Sequence, residues 1–222
     1  SSLEEAGISV INMNGIYFPY FMQFYNGYRV KIPDQKDGET KKNYQERINA
    51  LIYKEVLDSS EFVTTKRIKA RCVAITDNDP ETDVYPSKDD HIEGNNSQLY
   101  YVKQVKNMTD NCRVFVNRNT FEYDLALESH YNAKVMLDIL LEEITTDGSI
   151  KEDMKDYIAK IDSGETIDDT QMAAFILKQI DSNYIGKGRF AQLLAEQINP
   201  SFCVPEYISN AIAFILMLGE SA

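Results

Sequence analysis

Cysteine is scarce in this sequence. The three among 222 residues, Cys72, Cys112 and Cys203, stand far apart, with no Cys-x-x-Cys pair and no histidine at zinc-site spacing. That pattern excludes a disulfide framework and a structural zinc site, and it leads us to expect buried free thiols in a reducing, cytoplasmic setting. Histidine is scarcer still: His91 and His130 each lack a second histidine or supporting motif, which argues against histidine-based hydrolysis and for solvated loop or helix-end positions. Long apolar runs are absent, since the strongest, Ala211 to Leu218, is far shorter than the roughly 20 residues that span a bilayer. The opening Ser1-Ser2-Leu3-Glu4-Glu5 has neither the basic region nor the apolar run of a secretion signal. Basic residues are outnumbered 23 to 35, for a net charge of −12. This argues against a protein that coats nucleic acid, because Lys and Arg supply most non-specific affinity for phosphates. A nucleic-acid substrate would need divalent cations to bridge carboxylates to phosphates, or basic surface elsewhere in a larger protein.

What is present suits a folded core. Hydrophobic residues make up 43% of the chain and charged residues 26%, with no repeat or low-complexity tract. The run Gly7 to Met13 is short and β-branched, which predicts a buried strand. Phe18, Phe21, Met22 and Tyr25 then fall at helical spacing, with Pro19 tolerable in a first turn and Gly27 near the end. Arg29 to Ile32 reads as a short strand, and 40–57 as a helix presenting Tyr44, Ile48, Leu51, Ile52 and Val56. Ile68 to Thr76 reads as a central strand breaking into Asp77-Asn78-Asp79-Pro80, 97–106 as a helix, and Cys112 to Val116 as the next strand. Beyond Thr120 the periodicity predicts helices over about 120–128, 132–146, 149–162, 168–181, 187–198 and 205–218, with Asp147-Gly148, Ser163-Gly164 and Asn199-Pro200 as breaks. The expectation is an α/β region over 1–130 and a helical region over 131–222.

The residues with chemistry follow the predicted strands. Asp77 and Asp79 come directly after a buried strand, at the carboxyl edge of a parallel sheet, where hard cations are often held. The competing reading is a turn in which Asp77 and Asn78 cap backbone amides. Glu122 follows the next strand and is equally readable as an acid at the same edge or as one favouring a helix amino-terminus.

Ile8 to Gly15, Val73 to Asp79, Val114-Phe115-Val116 with Thr120 to Leu127, Gly186 to Ala191 and Val204 to Ile208 resemble, in order, successive blocks of the Toprim domain in OLD-family nucleases. The resemblance implies an α/β fold with a Toprim-like parallel sheet lacking its first strand, followed by a mostly helical region. It implies a nuclease dependent on Mg²⁺ or Mn²⁺ that acts on DNA. It also implies an ABC-type ATPase domain in the same polypeptide and homo-oligomers formed through the full-length protein. By the same resemblance Asp77 and Asp79 are metal ligands, Glu122 a further ligand or supporting acid, and Lys187 a catalytic cation that steadies charge on the transferring phosphoryl group. Taken without the resemblance, Lys187 is a surface lysine in a Gly-Lys-Gly turn. Toprim domains open with a strand and an acidic helix, whereas only Ser1 to Ala6 precede the matching segment here. The expectation is that this chain by itself lacks that acid and has little nuclease activity. No Gly-x-x-x-x-Gly-Lys-Ser/Thr run offers a P-loop. Two other readings stand beside the nuclease: another phosphoryl-transfer Toprim enzyme, although none of the 14 tyrosines is marked as a topoisomerase nucleophile, and a non-catalytic interaction module.

Overall fold

The computed structural model describes residues 3–12, 18–52, 58–78, 80, 83–90, 111–144, 148–182 and 185–216. They form two compact units interleaved along the chain. One draws on 1–76, 95–116 and 207–222, the other on 77–94 and 117–206.

The first unit begins with a reversal of expectation. Residues 8–12 belong to no strand, and Val10 and Ile11 are 76% and 69% exposed. An apolar run sets a propensity to extend, but burial needs a pairing edge that sequence does not reveal. Helix α1 (Phe18–Asn26) follows. Gly27 ends it with φ of +78°, and its carbonyl accepts from the Thr65 amide at 2.8 Å. A Cβ at Gly27 would meet Arg67 Cβ at 3.3 Å and Thr65 O at 3.4 Å, so both conformation and space favour glycine. Strand β1 (Tyr28–Val30) pairs antiparallel with β2 (Phe62–Thr64), a three-residue element too short to show a period in sequence. Between them, α2 (Lys41–Ile52) is capped by Thr40, whose hydroxyl accepts from the Asn43 amide at 3.2 Å. Strands β3 (Cys72–Thr76) and β4 (Cys112–Val116) pair in parallel, with register running from Cys72↔Cys112 to Thr76↔Val116. Met22, Ala74 and Cys112 form the buried cluster beside them, with Tyr25, Cys72 and Val114 packed against it. The predicted strand over 68–76 is shorter than expected, and Ile68 is 50% exposed. Asn111 explains its late start by donating to the Tyr25 and Ala70 carbonyls, both at 2.9 Å. The predicted helix over 97–106 lies outside the described residues.

The second unit is helical: α3 (Phe121–Glu128), α4 (His130–Glu143), α5 (Gly148–Ser163), α6 (Asp169–Asp181) and α7 (Lys187–Gln197). A last helix, α8 (Glu206–Leu216), returns the chain to the first unit. Caps set the boundaries. Thr120 accepts from Tyr123 N, Ser129 from Asn132 N, and Asp168 from Thr170 N and Gln171 N. Met172, Ile176 and Ile180 on α6 recur every four residues and are fully buried, as are Met136, Leu137 and Leu140 on α4. They join Tyr123, Met154 and Phe190 in one core. Each such side chain contributes about 1.5–3 kcal/mol through burial. Asn132 ties α4 to the loop before α8. Its amide donates to the Leu125 and Cys203 carbonyls at 3.0 and 2.8 Å, and its oxygen accepts from Cys203 N at 2.9 Å.

The three cysteines are free thiols, but they are not all buried: Cys112 is buried, Cys72 half-buried and Cys203 exposed. Cys203 departs from the expected burial because its segment, 198–205, has no helix or strand to face a core. No described helix is long and apolar enough to cross a membrane.

Candidate functional site

The second unit gathers several of the predicted residues. Strands β3 and β4 pair as far as Thr76↔Val116, and the next residues in the chain are Asp77 and Asn117. The Asn117 amide donates to Asp77 Oδ1, while its oxygen accepts from Asn78 N at 2.9 Å. Asn78 is buried, and its side chain donates to the Arg118 carbonyl at 3.2 Å. The competing turn reading had Asp77 and Asn78 capping backbone amides, whereas this Asn78 bond is a donation to a backbone carbonyl. Asp77 itself is held by a side chain across the two segments. Asp79 lies outside the described residues.

Glu122 is in the first turn of α3, and its side chain is 16% exposed. Lys187 is the first residue of α7, behind Gly186 at φ +77°. Its ammonium stands 3.7 Å from Glu122 Oε2 and 3.1 Å from Asp181 Oδ1. Partial burial works against the charged lysine, but the carboxylates of Glu122, Asp181 and Asp77 outweigh it and hold its pKa above the ordinary lysine value. Lys187 is thus paired with acids from α3 and α6 and within electrostatic reach of Asp77. Asp181 escaped sequence reasoning, since an acid in the last turn of a helix opposes the helix dipole and carries no motif.

Asp124, two residues beyond Glu122, serves structure. It is 2% exposed and folds back over its own helix start, accepting from Arg118 N at 3.0 and 3.1 Å and from Asn119 N at 3.1 Å. The Arg118 guanidinium stands 3.5 Å away and also reaches Glu206 at 3.4 Å. Burial pushes the Asp124 carboxyl above its ordinary value against these donors. Tyr123 is buried beside it and donates its hydroxyl to the Pro86 carbonyl at 2.8 Å. Asn119 Nδ2 donates to Val84 O at 2.9 Å. These bonds fix the 117–120 turn from which Glu122 projects. The run Asn117-Arg118-Asn119 was the signal for it, since two short amides before a helix cap are turn formers. His130 pairs with Asp169 at 2.7 Å on the surface, and His91 lies outside the described residues.

The acids here are oxygen donors with no thiolate or imidazole among them, the donor chemistry that suits Mg²⁺ or Mn²⁺. Among the described residues, no three of His, Cys, Asp and Glu are grouped closely enough to hold an ion. Asp77 and Glu122 are the two acids of the expected set that fall within the described residues.

No family model and no curated protein matches the chain. A solved structure similar to it is the C-terminal region of the Burkholderia pseudomallei OLD protein, with 20% sequence identity, 97% of this chain and 85% of that one covered, and a TM-score of 0.46. Neither figure is high enough to carry residue roles from one chain to the other.

Proposed function

We propose that this chain is the Toprim-like nuclease region of an OLD-type protein, and that the full-length protein hydrolyses DNA phosphodiesters with the help of Mg²⁺ or Mn²⁺. The observation that carries the reading is the Lys187–Glu122 contact at 3.7 Å, with Asp77 within electrostatic reach of the same ammonium. Three residues drawn from separate blocks of the sequence resemblance thereby meet in one network. Asp77, Asp79 and Glu122 would hold the cation. When bound, such an ion activates water and stabilises the leaving oxygen.

The chain's own residues do the rest. Asn117 orients the Asp77 carboxylate through its amide. Lys187, a cation among three acids, is placed to exchange a carboxylate partner for a phosphoryl oxygen as negative charge develops there. Gly188 has open space where a Cβ would stand, which permits close approach of a strand backbone.

The test is cleavage of supercoiled plasmid by the full-length protein, of which this chain is a part, in Mg²⁺ or Mn²⁺, with chelator as the blank. Lys187→Ala is expected to slow cleavage by roughly 10²–10³-fold with its circular dichroism unchanged. Asp77→Asn should instead raise the Mn²⁺ concentration needed for half-maximal rate. Lys187→Ala cutting at the normal rate would overturn the reading.

A further inference from the structure

A cavity of about 870 Å³ opens in the second unit and shares a wall with the Lys187 network, because Asp181 lines it and also pairs with Lys187 at 3.1 Å. Its volume lies in the range of ligand sites and exceeds what a single side chain or ordered water would fill. Two rings line it as a pair, Tyr157 on α5 and Phe175 on α6, with centroids 5.4 Å apart and planes at 44°. A third ring, Tyr85, is 37% exposed and braced from behind by Tyr123 at 5.8 Å. The charged lining is one lysine, Lys178, and two acids, Asp83 and the Asp181 that pairs with Lys187. Lys178 and Asp83 both face the cavity, and neither side chain makes a hydrogen bond or ion pair among the described residues. Asp83 has φ of +64°, the one non-glycine residue at positive φ among those described. Aspartate tolerates this conformation better than most residues, and such strain gathers at ligand sites.

We propose that this cavity is a subsite for an unpaired nucleotide of the DNA strand, held beside the phosphate that the Lys187 network addresses. The proposal rests on the hydrolase reading above and adds to it the form of the substrate, a strand with at least one base out of its duplex. Aromatic faces take any base by stacking, which is how strands are held without a duplex groove. Lys178 supplies the point charge for an adjoining phosphate. Asp83 is an acceptor with no donor among the described residues, so it favours a base that carries an exocyclic amino group, such as cytosine, over thymine. A duplex cannot present a base to this cavity without unpairing it, which costs free energy that a nicked, frayed or single-stranded substrate does not pay.

Binding of fluorescein-labelled DNA hexamers, read by anisotropy in chelator so that no cleavage intervenes, tests the proposal in the intact protein. Lys178→Glu should weaken binding of a single-stranded cytosine hexamer by about tenfold or more while changing binding of a blunt duplex no more than Lys155→Glu does. Lys155→Glu makes the same charge change on α5, outside the cavity lining. Asp83→Asn keeps a residue tolerant of positive φ and should erase a roughly fivefold or larger preference for the cytosine hexamer over the thymine one. Phe175→Leu should weaken both single strands alike. If that variant fails to fold, the exposed Lys178 and Asp83 still decide the matter. Equal losses for single strand and duplex, or no loss for either, would overturn the subsite. Because binding is read without cation or turnover, this failure is distinct from failure of the hydrolase reading. Lys187→Ala cutting normally while the cavity variants lose single-strand binding would sink the latter alone.

Discussion

The two units solve the problem of cohesion differently. Among the described residues, the helical unit buries large apolar side chains from α3 to α7 in one continuous cluster, with Tyr123, Leu140, Met172, Ile176 and Phe190 all below 2% exposure. The other unit buries a small cluster around Met22, Ala74 and Cys112, and its described remainder is held by strand pairing, by Asn111 and by Arg71 over the Phe214 ring at 4.9 Å. Side-chain burial dominates the first and specific polar and backbone contacts the second. A stripe of buried residues is what periodicity detects, so it read the helical unit well; in the other unit it found α1, α2, β3 and β4 but missed the short Phe62–Thr64 strand and expected a strand over 7–13 that residues 8–12 do not form.

The largest effect that would sharpen this contrast is Leu140→Ala at the centre of the helical core. It should destabilise the protein by about 2–5 kcal/mol, as the transfer and cavity terms for a fully buried leucine add. Urea unfolding followed by circular dichroism measures it, and a loss below about 1 kcal/mol would mean the core collapses around the deletion. Next comes Asp124→Ala, which orphans two backbone amides and removes a partner of Arg118. Roughly 1–3 kcal/mol should be lost in the same assay, and a neutral result would show that water replaces the carboxylate.

Gly27→Ala probes the smaller unit through conformation. The positive φ alone costs about 1–2 kcal/mol, and contact with Arg67 and Thr65 adds to it. Gly164→Ala has φ of +73° but open space around the new methyl, so it should cost less in a paired thermal-denaturation comparison. Equal losses would show that Arg67 moves aside freely.

The smallest effect concerns pH. Hydrogen bonds from Arg47, at 2.8 and 3.0 Å, hold the Glu39 carboxyl well below its ordinary value, at about 2. A depressed folded-state pKa means the unfolded chain binds the proton more readily. The stabilisation is therefore present above about pH 4.5 and fades as pH falls toward about 2. Glu39→Gln should flatten the acid limb of the stability profile over that window and leave it unchanged near pH 7 after a uniform offset. An unaltered acid limb would show that other carboxylates carry it.

Much of the helical unit was legible because local signals agreed. Thr120, Ser129 and Asp168 each cap the helix that begins after them, and the apolar spacing of α6 matches its buried face except at Gln179, a buried polar residue. The sequence nominated Asp77, Glu122 and Lys187 through blocks of a resemblance, but the contacts among them were not legible in it. Asn117 and Asp181 complete the network at 40 and 6 residues' separation from Asp77 and Lys187, and no local pattern announces either.

By itself the sequence determined the helices of the described residues, strand candidates over 68–76 and 112–116, and which acids and lysines are available to a site. Those follow from periodicity, capping and strand-end composition, all of which act over a few neighbours. The tertiary structure decided that residues 8–12 remain outside any strand, that Phe62–Thr64 pairs with Tyr28–Val30, and that 77–94 joins 117–206 while 207–222 joins the first unit. It also decided that Tyr157 and Phe175 line a cavity beside Asp181. These outcomes depend on contacts between residues distant in the chain, whose free energy is set by which surfaces meet and is written in no single stretch of sequence.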